Sequence, residues 1–275
     1  MNFNNYLIVS DLDGTLFNRR QTVPERSVRA IEYFKSNGGI FTVATGRDIR
    51  FIDKRFPFIK TLVNAPIVTS NGSQLSDVNS GMIYVDLFHS KELLNRVLVD
   101  LEPIYEDATI ELYGKDKIYV VHPNEYIYRR FSLLSDYVVY LDSVVIPDDD
   151  ILRVAIIDHN AERIGSISRA VGKATANDDV ELVFSESFIY EILPHGATKG
   201  NAVNELRSIL GRDKILICAG DWNNDLSQLA IADIPVCPSN ANESVRSFCK
   251  YTLCDCDEGI IADIVQSIEN GLFDI

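Results

Sequence analysis

Short apolar runs that end abruptly in polar clusters set the grammar of this chain. Tyr6–Val9 is continuous, partly β-branched, and halts at Ser10-Asp11-Leu12-Asp13-Gly14. Such a run reads as a buried strand that delivers two carboxylates into a turn. Thr22-Val23-Pro24-Glu25 reads as a capping box with Pro near the first helical position. Val28, Ile31 and Phe34 mark one apolar helical face, which Asn37-Gly38-Gly39 brings to a stop. Ile40–Ala44 is a second strand, ending in Thr45-Gly46-Arg47, and Ile67–Thr69 a third, ending in Ser70-Asn71-Gly72. Strand, helix, strand, helix, strand implies right-handed crossovers and a parallel sheet. Open sheets of that kind place ligands beyond the carboxyl ends of their strands.

From about residue 81 the texture changes. "MIYVDLF", "TIELYG", "KIYVVH", "ILRVAIID", "ELVFSE" and "FIYEIL" are strand-like, with helical stretches at 91–101 and 161–173. Several of these strands alternate polar and apolar residues, which reads as an antiparallel α+β unit. From Thr198 the parallel grammar returns: a helix over 198–210, the strand "KILICAGD", a helix from Asn224 and the strand "IPVC". The expected architecture is therefore α/β. A Rossmann-like parallel-sheet core comprises residues 1–80 and 195–275, and an α+β domain is inserted over 81–194.

With 275 residues the chain is long enough for two domains, and its 46% hydrophobic content supports a sizeable core. No apolar run approaches the ~18 residues of a membrane span, and no signal-type segment opens the chain. The five cysteines are an odd number suited to a reducing compartment; a cytoplasmic protein is expected. A formal net charge of −14 makes nucleic acid and anionic membranes poor partners. An acidic protein that binds phosphate needs a metal ion or a local cation.

The polar signals in the outer segments cluster at strand ends and one helix start: Asp11 and Asp13, Thr45 with Arg47, Lys199, and "GDWNND" with Asp221, Asn224 and Asp225. Each alone is an ordinary turn or surface residue. Together, in this order on a parallel framework, they match the needs of phosphoryl transfer. That chemistry requires a nucleophile, neutralisation of three non-bridging oxygens and a proton donor for the leaving oxygen. A carboxylate can attack and split the reaction into two steps. A Mg²⁺ ion offsets the repulsion between carboxylate and phosphate, and a lysine and a hydroxyl cover the remaining oxygens.

"DLDGTLF", "TVATGR", "TKGNAV" and "GDWNND" resemble the four motifs of the haloacid dehalogenase superfamily of Mg²⁺-dependent phosphatases. The insertion between the second and third motifs resembles its Cof-type, C2-capped (IIB) branch. The resemblance implies Asp11 as nucleophile and metal ligand, and Asp13 as general acid/base offering its backbone carbonyl to Mg²⁺. It implies Thr45 and Lys199 as holders of the phosphoryl group, with Leu12, Gly46, Arg47 and Asn224 among the phosphate- and substrate-binding residues. Asp221 would complete the metal ligands and Asp225 would stand behind them. The expected substrate is a small phosphomonoester, sugar phosphates foremost, with the inserted cap setting specificity. "VCPSNA" lacks the glycine such proteins commonly carry before the Asn-Ala pair.

Two rivals share the scaffold: a phosphomutase, and a non-catalytic binder of phosphorylated metabolites. The second has no use for a nucleophile with its acid. No G-x-G-x-x-G follows a strand, which disfavours a dinucleotide site. Cys249, Cys254 and Cys256 lack a Cys-x-x-Cys pair or a neighbouring histidine, and read as packing residues before zinc ligands. His195 and Trp222 flank the motifs without an assigned role.

Overall fold

The computed structural model describes residues 2–105 and 108–273. In chain order the first elements are β1 (Tyr6–Ser10), α1 (Glu25–Ser36), β2 (Ile40–Val43), α2 (Ile49–Arg55), α3 (Ile59–Leu62), β3 (Ile67–Thr69), β4 (Gln74–Ser76) and β5 (Ile83–Asp86). The middle of the chain holds α4 (Lys91–Leu94), β6 (Thr109–Gly114), β7 (Ile118–Val121), α5 (Glu125–Arg130), β8 (Val138–Leu141), β9 (Ile151–Ile157), α6 (Ala161–Ala174), β10 (Val180–Glu186) and β11 (Ile189–Pro194). The last part holds α7 (Lys199–Leu210), β12 (Ile215–Ala219), α8 (Leu226–Ile231), β13 (Ile234–Pro238), α9 (Glu243–Phe248), β14 (Tyr251–Leu253) and α10 (Ile260–Glu269). Among the described residues no helix is long and apolar enough to cross a membrane.

These elements form two compact units. One comprises Met1–Gly46, Pro57–Val85 and Thr198–Ile275; the other comprises Arg47–Phe56 and Asp86–Ala197. Residues 81–85, expected with the insertion, thus pack in the first unit, and residues 47–56, expected with the core, pack in the second.

The first unit is built on a sheet of order β14-β13-β12-β1-β2 with every pairing parallel. Leu7, Ile8 and Val9 are fully buried, which is why β1 reads as an unbroken apolar run. Leu7 and Val9 share one core with Val203, Leu206, Leu216, Cys218 and Leu229. Burying each such side chain is favourable by about 1.5–3 kcal/mol. From β1 the chain crosses to β2 on one side and reaches β12 on the other, so β1 marks the topological switch point of the sheet. An Ala44–Val68 bridge continues β2 into a small sheet of order β3-β4-β5.

The expected capping box at α1 does not form. Pro24 occupies the cap position without a side-chain bond, because Thr22 is already committed to an Asn18 turn: its hydroxyl (3.1 Å) and its N–H (3.1 Å) both donate to Asn18 Oδ1.

The second unit is a sheet of order β10-β11-β9-β6-β7-β8, antiparallel except for β7 and β8. That parallel pair needs a crossover, and α5 lies within it; neither α5 nor β8 was anticipated from the sequence. Alternation sorts the two faces. Ile110, Leu112, Val154, Ile156 and Ile192 pack with Ile164, Ile167 and Val171 of α6. The intervening Tyr113 and Ala155 join a second cluster with Phe51 of α2 and Phe131. The helix expected over 91–101 is α-helical only to Leu94, then widens to a π turn over Asn95–Val99.

Candidate functional site

Asp11 stands just past the carboxyl end of β1. Its N–H donates to the Ala219 carbonyl at the end of β12 (2.8 Å), which extends the β1–β12 ladder by one rung. The chain then folds back: Leu16 N–H donates to Asp11 O (3.2 Å) and Phe17 N–H to Leu12 O (2.7 Å). Gly14 adopts φ +76°, and a Cβ there would lie 2.4 Å from Asp221 Oδ2. Glycine is therefore required both for the turn and for the approach of Asp221. Asn240 donates to the Gly14 carbonyl (2.8 Å) and accepts from Cys256 N–H (2.8 Å), so the loop of the "VCPSNA" segment supports this turn directly.

Lys199, the first residue of α7, is 1% exposed and reaches Asp11 Oδ1 at 2.6 Å and Asp225 Oδ1 at 2.7 Å. Asp221, two residues past the end of β12, accepts from the Thr15 hydroxyl at 3.0 Å. Carboxylate oxygens of Asp11, Asp221 and Asp225 all lie within 4.8 Å of one another. Burial, and then the neighbouring carboxylates, push Asp11 well above its usual range against the pull of Lys199. Burial and Asp225 likewise raise Asp221, to about 7. Burial pulls the Lys199 ammonium down, but Asp11 and Asp225 outweigh it and hold the proton more firmly than in a free lysine. One cation among three crowded carboxylates leaves excess negative charge in a dry setting. The donors are all hard oxygens, and a hard divalent cation fits that set.

The three carboxylates are not equivalent. Asp225 Oδ1 accepts from Lys199 and from Gln228 (2.8 Å), and Oδ2 accepts from the N–H groups of Asp221 (2.9 Å) and Trp222 (3.0 Å). With both oxygens engaged, Asp225 is built to hold Lys199 and the 220–222 loop. Asp11 and Asp221 remain the carboxylates suited to an ion.

The other expected residues are placed as follows. Asp13 is exposed and Leu12 is wholly buried, so Leu12 can address a ligand only through its backbone. Thr45 is buried, its N–H bonded to Val68 O at 2.9 Å. Arg47 belongs to the second unit, where its guanidinium lies over the Phe56 ring at 4.9 Å. The Asn224 amide donates to Asn71 Oδ1 at 3.0 Å. His195 pairs with Asp179 (2.7 Å) in the second unit and is largely exposed. The C-terminal cysteines are free thiols. Asn71 was passed over in the sequence as part of a strand exit, although Asn-Gly after a buried strand signals a backbone at positive φ.

The family described as haloacid dehalogenase-like hydrolase matches residues 8–265. The 5-amino-6-(5-phospho-D-ribitylamino)uracil phosphatase YitU of Bacillus subtilis is 25% identical over 269 residues, covering 95% of this chain and 96% of its own. Among solved structures, SMU.1108c of Streptococcus mutans superposes with a TM-score of 0.82 at 20% identity, over 96% of this chain and 98% of its own. The subclass IIB sugar phosphatase BT4131 superposes with a TM-score of 0.78 at 20% identity, over 98% of this chain and 100% of its own.

Proposed function

The chain belongs to the haloacid dehalogenase-like hydrolase family, and from this premise we propose that it is a Cof-type IIB member that hydrolyses small phosphomonoesters with Mg²⁺ through Asp11. The observation that carries the proposal is the buried Lys199 ammonium bonded to both Asp11 and Asp225, with Asp221 alongside. That arrangement presents a nucleophile, a phosphate counter-charge and a metal-binding carboxylate at one sheet edge.

Asp11, Asp221 and the Asp13 backbone carbonyl would hold the ion, which supplies charge neutralisation between carboxylate and phosphate. The rest is the work of this chain's own residues. An Asp11 carboxylate oxygen attacks phosphorus, a new P–O bond forms, and the ester P–O bond breaks. Asp13 gives its proton to the departing oxygen, then removes one from the water that attacks the phosphorylated Asp11. Inorganic phosphate leaves and the Asp11 carboxylate is restored. Exposure of Asp13 suits a group that hands one proton to the departing oxygen and takes one back from the attacking water. Lys199 and Thr45 screen the phosphoryl oxygens from fixed positions, avoiding reorganisation at the moment of reaction.

For the alcohol we propose a sugar or polyol chain. BT4131 is described as a sugar phosphatase, and YitU is named for a phosphoribityl substrate. Residues 86–197 are proposed as the specificity unit. The test is inorganic phosphate release from p-nitrophenyl phosphate and a panel of sugar and polyol phosphates, with Mg²⁺ and after exhaustive chelation. Full activity after chelation overturns the metal assignment; no release from any phosphomonoester overturns the proposal.

A further inference from the structure

The hairpin that joins β3 to β4 is more strained than a hairpin requires. Ser70, Asn71 and Gly72 adopt φ of +50°, +55° and +103° in succession. A four-residue hairpin loop is most often built around a type I turn, with no such run of positive φ. Positive φ at a residue other than glycine is uncommon, and here two such residues are adjacent and almost fully buried, at 1% and 2% exposure. Backbone held this way persists only where its surroundings over-determine it.

The surroundings are the segments that bear the candidate site, all within the first unit. Asn71 N–H donates to the Thr45 carbonyl (3.1 Å). The Asn71 amide packs tightly against Gly46: a Cβ on Gly46 would come 3.0 Å from both its nitrogen and its oxygen. The same amide oxygen accepts from Asn224 Nδ2 at 3.0 Å. On the next residue, a Cβ on Gly72 would lie 2.2 Å from the Thr198 carbonyl and 3.0 Å from Lys199 N. Two adjacent residues from one strand end, Asn71 and Gly72, thus touch the segments that carry Thr45, Lys199 and Asn224.

We propose, on the footing of the phosphatase reading, that Asn71 is a positioning residue for the phosphoryl pocket. Its left-handed backbone lays the amide between Gly46 and Asn224 and sets Thr45, Asn224 and the start of α7 at fixed mutual distances. Asparagine suits the place for two reasons: it tolerates the left-handed region better than most residues, and its short amide can accept from Asn224 while packing against Gly46.

Asn71→Gly separates these roles, because glycine keeps the backbone conformation and deletes the amide. With p-nitrophenyl phosphate and Mg²⁺, kcat should fall by about 10- to 100-fold, the scale expected when a group near the reacting centre is misplaced. The Mg²⁺ concentration for half-activation should stay unchanged, since Asp11 and Asp221 are untouched. Asn224→Ala removes the same hydrogen bond from the other side and should lose activity comparably, which keeps the test open if Asn71→Gly fails to fold. The double variant should be little worse than the more impaired single variant. Wild-type-like kcat in either folded single variant, a shifted Mg²⁺ requirement, or losses that simply multiply in the double variant would overturn the role of Asn71 alone. If the wild-type protein releases phosphate from no phosphomonoester, the phosphatase reading falls and this inference falls with it.

Discussion

The candidate site in the first unit and the polar face of the six-stranded sheet in the second both bury charge, with opposite balance. On and beside the sheet face, Glu111, Glu191 and Asp48 each bond a guanidinium. Arg153 and Glu191, 3% and 2% exposed, meet at 2.6 Å. Glu111 accepts from Arg130 at 3.1 Å and from the Tyr113 hydroxyl at 2.6 Å, and Arg50 grips both oxygens of Asp48 at 2.7 Å. The Arg153 guanidinium also stacks on the Tyr113 ring, 3.8 Å from its centroid. In the site, one ammonium serves two carboxylates while a third crowds in beside them. Buried ion pairs of matched charge fix a packing arrangement, even with Arg50 Nη1 and Arg153 Nε left without a hydrogen-bond partner; a cluster with carboxylate in excess is suited to an external cation. Burial alone therefore does not distinguish the two regions; charge balance does.

The largest effect that would break this comparison lies in the site. Asp11→Asn should abolish phosphate release, by at least about 10⁴-fold, since the amide cannot serve as the nucleophile. Residual turnover near wild type would show that Asp11 is merely another buried acid. Asp13→Asn should lose about 10²–10⁴-fold and, with an activated leaving group, accumulate a phosphoryl adduct on the peptide containing Asp11. Mass spectrometry that finds the adduct on Asp13 in the wild type would reverse the two roles.

On the sheet face the readout is stability. Glu191→Ala strands Arg153 without its partner and should destabilise the protein by about 3–5 kcal/mol in urea unfolding. Replacing the pair together, Glu191→Leu with Arg153→Met, should restore most of that loss, because a matched buried pair and an apolar pair of similar volume are close in stability. If the double variant is as unstable as the single one, the face does not rest on matched charge in the way described.

The smallest expected effect is on pH dependence, and it sharpens the contrast. Burial, chiefly, raises Asp11 well above 3.8 and Asp221 to about 7. A carboxyl whose folded pKa exceeds its unfolded value binds more protons in the folded state. Stability is then highest below the unfolded pKa and declines as pH rises towards the folded one. The melting temperature of metal-free protein should accordingly fall between pH 4 and about 7, and Mg²⁺ should flatten the decline by replacing the proton as counter-charge. A profile that is flat without metal would mean the carboxylates are already compensated.

Local chemistry made much of this protein legible in its sequence. Asp11, Thr45, Asp221 and Lys199 each sit in a short stretch where a buried strand or a helix start is visible from periodicity alone, and a parallel sheet gathers strand ends at one edge whatever the side chains between. The alternation of the inserted strands was visible too, although Glu111, Arg153 and Glu191 were not singled out in it. Which arginine meets which glutamate was not, because partner choice depends on strand register: Ala155 is the registered neighbour of both Glu111 and Glu191, and nothing local announces that. The same limit hid Asn71. Its contacts with Gly46 and Asn224 arise only once β3 lies beside β2 and the 223–225 turn is folded against them. The saturation of Asp225 by four donors, and the packing of residues 47–56 with the second unit, are likewise long-range outcomes. Sequence by itself determined most of the elements and the residue types at their ends, since both rest on neighbours within a turn or two; α5, β8 and the uncapped start of α1 lay beyond it. Tertiary structure alone decided which of those groups compensate one another, since charge balance and hydrogen-bond saturation are properties of distances across the fold.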